Sequence, residues 1–302
     1  MDDLKKDIFK LKQEKKALIL AHNYQLPEVQ DVADFVGDSL GLSIAASQTD
    51  AKVIVFCGVF FMAETAKILS PQKLVLLPEE KAGCPMADMI TAPQLRELKS
   101  LHPQAVSLCY VNTSAAVKAE CDYCCTSANA VKIVEESLKS AAEIIFVPDQ
   151  HLARYVASQT GGNFIIWPGY CPVHVDITPE HIEEAKKRYP QAPVLVHPEC
   201  RQEVIELADH VLSTEGMCWY MKKSLASTFI VGTEVGILYR LQKENPTKRF
   251  YPVSENAICV DMKKITLEKI VSSLEKMEYQ IELPEAIIQK AQKSIKRMIQ
   301  ST

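Results

Sequence analysis

The chain has 302 residues, is 47% apolar and 24% charged, and carries a formal net charge of −4. This balance belongs to a compact globular protein and excludes nucleic acid or an anionic membrane as the main partner, so anionic ligands must be held by local groups. The N-terminal segment carries charges throughout and lacks a signal-peptide core, and the longest apolar stretch, 53–63, is about half the length that crosses a bilayer. These features predict a cytoplasmic protein that starts at Met1 and has no transmembrane segment. Ten cysteines in a chain of this length fit a reducing compartment better than a disulfide scaffold.

In chain order, short β-rich runs alternate with amphipathic segments of about ten to fifteen residues, the signature of βα units and parallel sheets. An apolar run ends at His22 and Tyr24, a helical pattern opens at Ser39, and a second run ends at Pro78 before Cys84. The series returns as Tyr110, Asn112, Ser127, Pro168 and Cys171, and again as His197, Glu199, Thr214, Pro252 and Cys259. The cysteines step by 171 − 84 = 87 and 259 − 171 = 88 residues. The sets His22/Tyr110/His197, Tyr24/Asn112/Glu199 and Ser39/Ser127/Thr214 each step by 88 and 87. Four sets in register make an internal repeat of three units.

Each unit is read with four strands. In the last unit they fall at 194–196, 210–212, 229–231 and 250–251, with helices over 201–208 and 234–243. The segment 265–300 has helical spacing without a strand pattern and is expected to return onto the first unit. The expected fold is α/β, with three pseudo-threefold-related three-layer αβα domains, small parallel sheets and an active site at the domain junction. The units are placed at 1–82 plus 265–302, 83–169 and 170–264.

The cysteine register carries the chemistry. Each of Cys84, Cys171 and Cys259 follows a strand-like run ending in proline, so three equivalent strand ends each deliver one sulfur. If the units pack about an axis, the sulfurs converge and suit an iron–sulfur cluster with one iron lacking a protein ligand, or a zinc site with an open position. Ser39, Ser127 and Thr214 can each cap a helix, whose free N–H groups bind carboxylate or phosphate without lysine. Cys57, Cys109, Cys200 and Cys218 share no register and are read as structural. The pair Cys121 and Cys124, followed by Cys125, lacks the second pair that a zinc motif needs. His174 follows Cys171 by three residues and is left open, either beside the metal or near substrate. His102, His151, His181 and His210 are assigned to the surface or to helix ends, and Lys290, Lys293, Lys296 and Arg297 to a solvated face.

Several segments together carry a family resemblance. They are Ala21 to Tyr24, Cys109 to Asn112, Cys125 to Ala130, Gly169 to His174, His197 to Cys200, and Ser213 to Met217. The chain resembles the quinolinate synthase family of iron–sulfur enzymes in NAD biosynthesis. The resemblance implies a [4Fe–4S] cluster on Cys84, Cys171 and Cys259 and condensation of iminoaspartate with dihydroxyacetone phosphate to quinolinate, phosphate and water. It also implies transient contact with an L-aspartate oxidase or aspartate dehydrogenase that supplies the imine. By the same resemblance Glu199 is the general base, with a raised pKa and Tyr24 as its phenolic partner. His22 and His197 contact substrate oxygens, and Tyr110 and Asn112 orient carboxylates. The alternatives are another open-iron hydro-lyase, or a non-enzymatic metal protein that senses oxygen.

Overall fold

Val53–Cys57 is buried at every position, which places apolar side chains on both faces of a strand that only a sheet covered by helices on both sides can bury. The structure is a computed structural model that describes residues 2–300. Met1, Ser301 and Thr302, at the ends of the expected first unit, lie outside the described residues. Twelve strands form three separate sheets. The first holds β1 (Ala17–His22), β2 (Phe35–Gly37), β3 (Val53–Cys57) and β4 (Leu74–Leu76). The second holds β5 (Val106–Tyr110), β6 (Tyr123–Cys125), β7 (Glu143–Val147) and β8 (Asn163–Ile166), and the third β9 (Val194–Val196), β10 (His210–Val211), β11 (Thr228–Gly232) and β12 (Arg249–Pro252). All three share one spatial order, β2-β1-β3-β4 and its equivalents, and every pairing is parallel. The expected α/β fold of three αβα units with small parallel sheets is therefore present.

The strands of the third unit fall where the apolar runs put them. The expected helix over 234–243 instead starts at Ile237 and runs to Glu244. Residues 233–236 stay outside it because the Glu234 carboxylate turns back to accept the Gly236 N–H at 2.7 Å. The helix expected over 201–208 is shorter, Gln202–Glu206.

The sequence reading missed one registered set, Asp34, Asp122 and Asp209. Each carboxylate accepts a backbone N–H from the central strand of its own sheet: Ile19 at 2.9 Å, Ser107 at 2.9 Å and Val194 at 2.7 Å. Each aspartate N–H bonds back to the carbonyl of that same residue. The clamp fixes the start of the first and second strands of every unit. Removing one carboxylate leaves a strand N–H without its acceptor, which costs about 1–3 kcal/mol. Asp209→Ala is accordingly expected to shift the denaturant midpoint downward by that amount without changing the slope; an unchanged midpoint would show the clamp to be idle.

The C-terminal segment divides. Leu267–Lys276 packs on the first unit's Asp2–Lys15 helix, as expected. The Glu285–Gln300 helix corrects the reading, because it lies mainly on the second unit. Its buried face is Ile288, Ala291, Ser294, Ile295 and Met298. Ser294 Oγ donates to Lys118 O at 2.9 Å, Asn129 Nδ2 donates to Met298 O at 2.9 Å, and Arg297 donates to Asp122 O at 2.6 Å. One bond from Gln292 to Ile68 O, at 2.7 Å, holds it to the first unit. Lys290, Lys293, Lys296 and Arg297 are exposed, as expected of a solvated face. Among the described residues no helix is long and apolar enough to cross a membrane.

Candidate active site

In a parallel sheet the carboxyl ends of all strands open on one side, and ligands bind where the strand order reverses. Here that point lies beside the first strand of each unit. β1 ends at His22, β5 ends at Tyr110, and His197 follows β9. One cavity is lined by all twelve residues singled out from the sequence: His22, Tyr24, Ser39, Cys84, Tyr110, Asn112, Ser127, Cys171, His197, Glu199, Thr214 and Cys259. His174, left open above, lines it too, and among the described residues no lysine or arginine does.

Glu199 is buried at the centre of a hydrogen-bonded chain. Tyr110 OH donates to Glu199 Oε1 at 2.5 Å, and His174 Nδ1 lies 2.8 Å from Oε2. His174 Nε2 meets Thr233 Oγ1 at 2.8 Å, and Thr233 Oγ1 meets Tyr24 OH at 2.6 Å. Two expectations change. The phenol bonded to Glu199 is Tyr110, and Tyr24 reaches it only through Thr233 and His174. The Glu199 carboxyl is also held well below the usual carboxylate range and not raised. Burial alone would raise it, but His174, His197 and the Tyr110 hydroxyl stabilise the anion more strongly.

His22 and His197 occupy equivalent places and are built alike. Each Nδ1 accepts the backbone N–H two residues on, from Tyr24 at 3.2 Å and from Glu199 at 3.3 Å. The proton of each neutral ring is therefore on Nε2, and His197 Nε2 reaches Ser127 Oγ at 3.2 Å. Burial, only partly offset by Glu199, lowers both imidazoles to about 3. A base lowered this far stays neutral from alkaline pH down to about 3. Imidazole ¹⁵N spectra are therefore expected to show both rings as Nε2–H tautomers at pH 8 and still neutral at pH 5; titration near 6.5 would contradict the burial argument.

The hydroxyl set also needs a correction. Ser39 and Thr214 are the first residues of their helices and not the caps. Asp38 caps Ser39–Gln48 by accepting the Gly41 N–H, and Ser213 caps Thr214–Lys223 by accepting the Gly216 N–H. Thr126 holds the equivalent place before Ser127 and accepts the Ala128 N–H at 3.3 Å. A cap bonded to its own helix turns its oxygen away from any ligand, so the next residue is the one facing the cavity. Thr214 Oγ1 accepts from Asn23 Nδ2 at 2.9 Å, and Arg240 binds Asn23 Oδ1 and Glu215 behind it. Asn112 Oδ1 is buried without a hydrogen-bond partner among the described residues. His102, His151 and His181 sit at helix ends as expected, whereas His210 opens β10 and packs on Tyr220.

A model of the family described as quinolinate synthetase A protein matches residues 6–300. The chain is 59% identical over 292 residues to the quinolinate synthase of Dehalococcoides mccartyi strain CBDB1, covering 97% of this chain and 96% of the relative. It is 53% identical over 298 residues to that of Geotalea uraniireducens, with 99% and 97% covered, and 52% identical over 302 residues to that of Methanoregula boonei, with 99% of each covered. The chain belongs to the quinolinate synthase family. That membership makes it an enzyme of NAD biosynthesis.

The family and the donor set point together to a metal cofactor. All ten cysteines are free, and Cys84, Cys171 and Cys259 are the three that reach the cavity. Each is partly exposed, whereas Cys57, Cys109, Cys121, Cys124, Cys125, Cys200 and Cys218 are buried. Cys109 and Cys124 face each other across β5 and β6 with their sulfurs 3.1 Å apart. Among the described residues, Cys171, His174 and Glu199 have ligand atoms that all lie within 4.8 Å of one another, close enough for a metal ion. Cys84 and Cys259 line the same cavity. Burial pushes the Cys84 thiol up to about 12, so binding a metal must displace its proton. The set fits a metal centre.

Proposed function

We propose that this chain condenses iminoaspartate with dihydroxyacetone phosphate to give quinolinate, phosphate and water, with a [4Fe–4S] cluster held by Cys84, Cys171 and Cys259. The observation that carries the reading is one cavity in which three registered thiols face a buried, ionised glutamate and two neutral histidines, with no cationic side chain in its lining. When bound, an iron with an open coordination position supplies a Lewis acid for the dehydrations. Three thiols on one cavity, with no fourth cysteine in its lining among the described residues, suit a cluster that has one iron free of cysteine.

The protein groups divide the remaining work by their protonation state. Ionised Glu199 takes a proton at a carboxylate oxygen, and Tyr110 OH on Oε1 and His174 Nδ1–H on Oε2 hold the carboxylate in place. The Nε2–H groups of His22 and His197 donate to substrate oxygens. Asn112 Oδ1 is free to accept from a substrate N–H or O–H. Ser39, Ser127 and Thr214 stand at or before helix starts, where hydroxyls and open backbone N–H groups receive phosphate and carboxylate. Tyr24 closes the wall and is held by Thr233. An acidic protein can in this way bind two anionic substrates.

An open-iron hydro-lyase of the aconitase type shares the metal logic, but the comparisons give no support to it or to an oxygen sensor. Because iminoaspartate hydrolyses readily, supply by an L-aspartate oxidase or aspartate dehydrogenase in the cytoplasm suits this reading. The test is anaerobic incubation of the iron-loaded protein with iminoaspartate and dihydroxyacetone phosphate. Quinolinate formation is expected, and consumption of neither substrate would remove the assignment.

A further inference from the structure

The loops that carry the three cysteines are tied to their sheets by one repeated backbone bond. Phe60 N donates to Ala82 O at 2.8 Å, Gln150 N to Gly169 O at 2.8 Å, and Val235 N to Ala257 O at 3.0 Å. Each acceptor lies two residues before its cysteine. The residue just before each donor is thus equivalent in the three units: Val59, Asp149 and Glu234. Strand register agrees, since Cys57, Val147 and Gly232, each two residues earlier, all pair with the end of the central strand. Two of the three are fully buried acids that take no part in the hydrogen-bonded chain around Glu199.

Glu234 Oε1 accepts the Cys259 N–H at 3.1 Å, and Lys263 Nζ lies 2.8 Å from the same oxygen while also binding the Tyr24 carbonyl. Gly236 makes room for this arrangement, because a Cβ there would lie 2.6 Å from Lys263 Nζ and 2.8 Å from Glu234 Oε2. Asp149 accepts the Leu152 N–H at 2.6 Å through Oδ1, and its Oδ2 is buried without a hydrogen-bond partner among the described residues.

We propose that Glu234 is a positioning residue for the metal centre, its buried carboxylate holding the Cys259 loop through that cysteine's own N–H. The Glu234–Lys263 pair also couples the Cys259 loop to the Tyr24 backbone, so the third and first units are set together at the cavity. Cys84, with Val59 in the equivalent place, has no such anchor. The inference rests on reading the three cysteines as metal ligands.

The test compares Glu234→Ala with Glu234→Gln. The amide keeps an acceptor oxygen and the alanine removes it. Two quantities are measured anaerobically: loss of iron to a chelator from the reconstituted protein, and mass-resolved alkylation of each cysteine in the metal-free protein, with the melting temperature followed alongside. Glu234→Ala is expected to speed alkylation of Cys259 and iron loss about tenfold while Cys84 reacts at its wild-type rate, the scale of one lost hydrogen bond. Glu234→Gln restores most of both. If Glu234→Ala does not fold, Glu234→Asp, whose oxygens are withdrawn by one methylene, is expected to speed Cys259 alone. An unchanged Cys259 rate, or equal acceleration of all three cysteines, overturns the proposal. Wild-type protein that takes up no iron overturns the cluster reading instead, and selective alkylation tells that result apart from failure of the anchor.

Discussion

Single replacement of Cys84, Cys171 or Cys259 by alanine is expected to reduce bound iron after anaerobic reconstitution from roughly four per chain to near none. The cluster has no other thiol to recruit. The remaining seven cysteines are buried, and none of them lines the cavity. Each of the three cysteines follows the last strand of a different sheet, so losing one leaves a cluster held by only two loops in a solvent-reachable cavity and unable to survive desalting. Iron and acid-labile sulfide analysis, with the visible absorption spectrum, measures the effect. The same change at Cys57 or Cys200 is the contrast. Both are fully buried, and truncating a small core side chain is expected to cost about 1–2 kcal/mol of stability while leaving iron content unchanged. A full complement of iron in any of the three alanine variants would strike that residue from the ligand set.

Glu199→Gln is expected to keep the iron and lose turnover by roughly 10²- to 10⁴-fold, the range for removal of a general base. The loss falls on kcat more than on KM, because the side chain keeps its volume. Two physical causes add. The amide cannot take a proton, and because its NH₂ group accepts no hydrogen bond, only one of the Tyr110 hydroxyl and His174 Nδ1–H, which now bond the two carboxylate oxygens, keeps an acceptor. Since these donors hold the wild-type carboxyl below its ordinary range, the base stays ionised throughout the neutral and mildly acid region. No acid limb from Glu199 is expected above about pH 4, the ordinary carboxylate value. Steady-state kinetics beside iron analysis decide the matter; a rate within a few-fold of wild type would take Glu199 out of the mechanism.

The sequence revealed most where three copies of one position carried the same kind of residue. The cysteines, the residues ending the first strand, and Ser39, Ser127 and Thr214 all repeat, and all reach one cavity. Asp34, Asp122 and Asp209 repeat equally well, yet they looked like ordinary loop acids because nothing in a sequence shows a carboxylate folded back onto its own sheet. Thr233 has no polar counterpart at Gly58 or Pro148, so its bonds to Tyr24 and His174 left no periodic trace. Charge states were the least legible. Burial was foreseen for Glu199 and pointed upward, but the opposing donors come from the second and third units and meet only in the folded chain. The C-terminal helix shows the same limit, because its amphipathic pattern states that one face is buried without naming the unit that buries it.

The most direct measurement is an anomalous difference map at the iron edge from anaerobically grown crystals of the reconstituted protein. The account predicts one compact iron feature between the sulfurs of Cys84, Cys171 and Cys259, with one iron turned toward Glu199 and free of any cysteine. Iron bound elsewhere, a single ion on Cys171, His174 and Glu199, or sulfurs too widely spaced to share one cluster would contradict it.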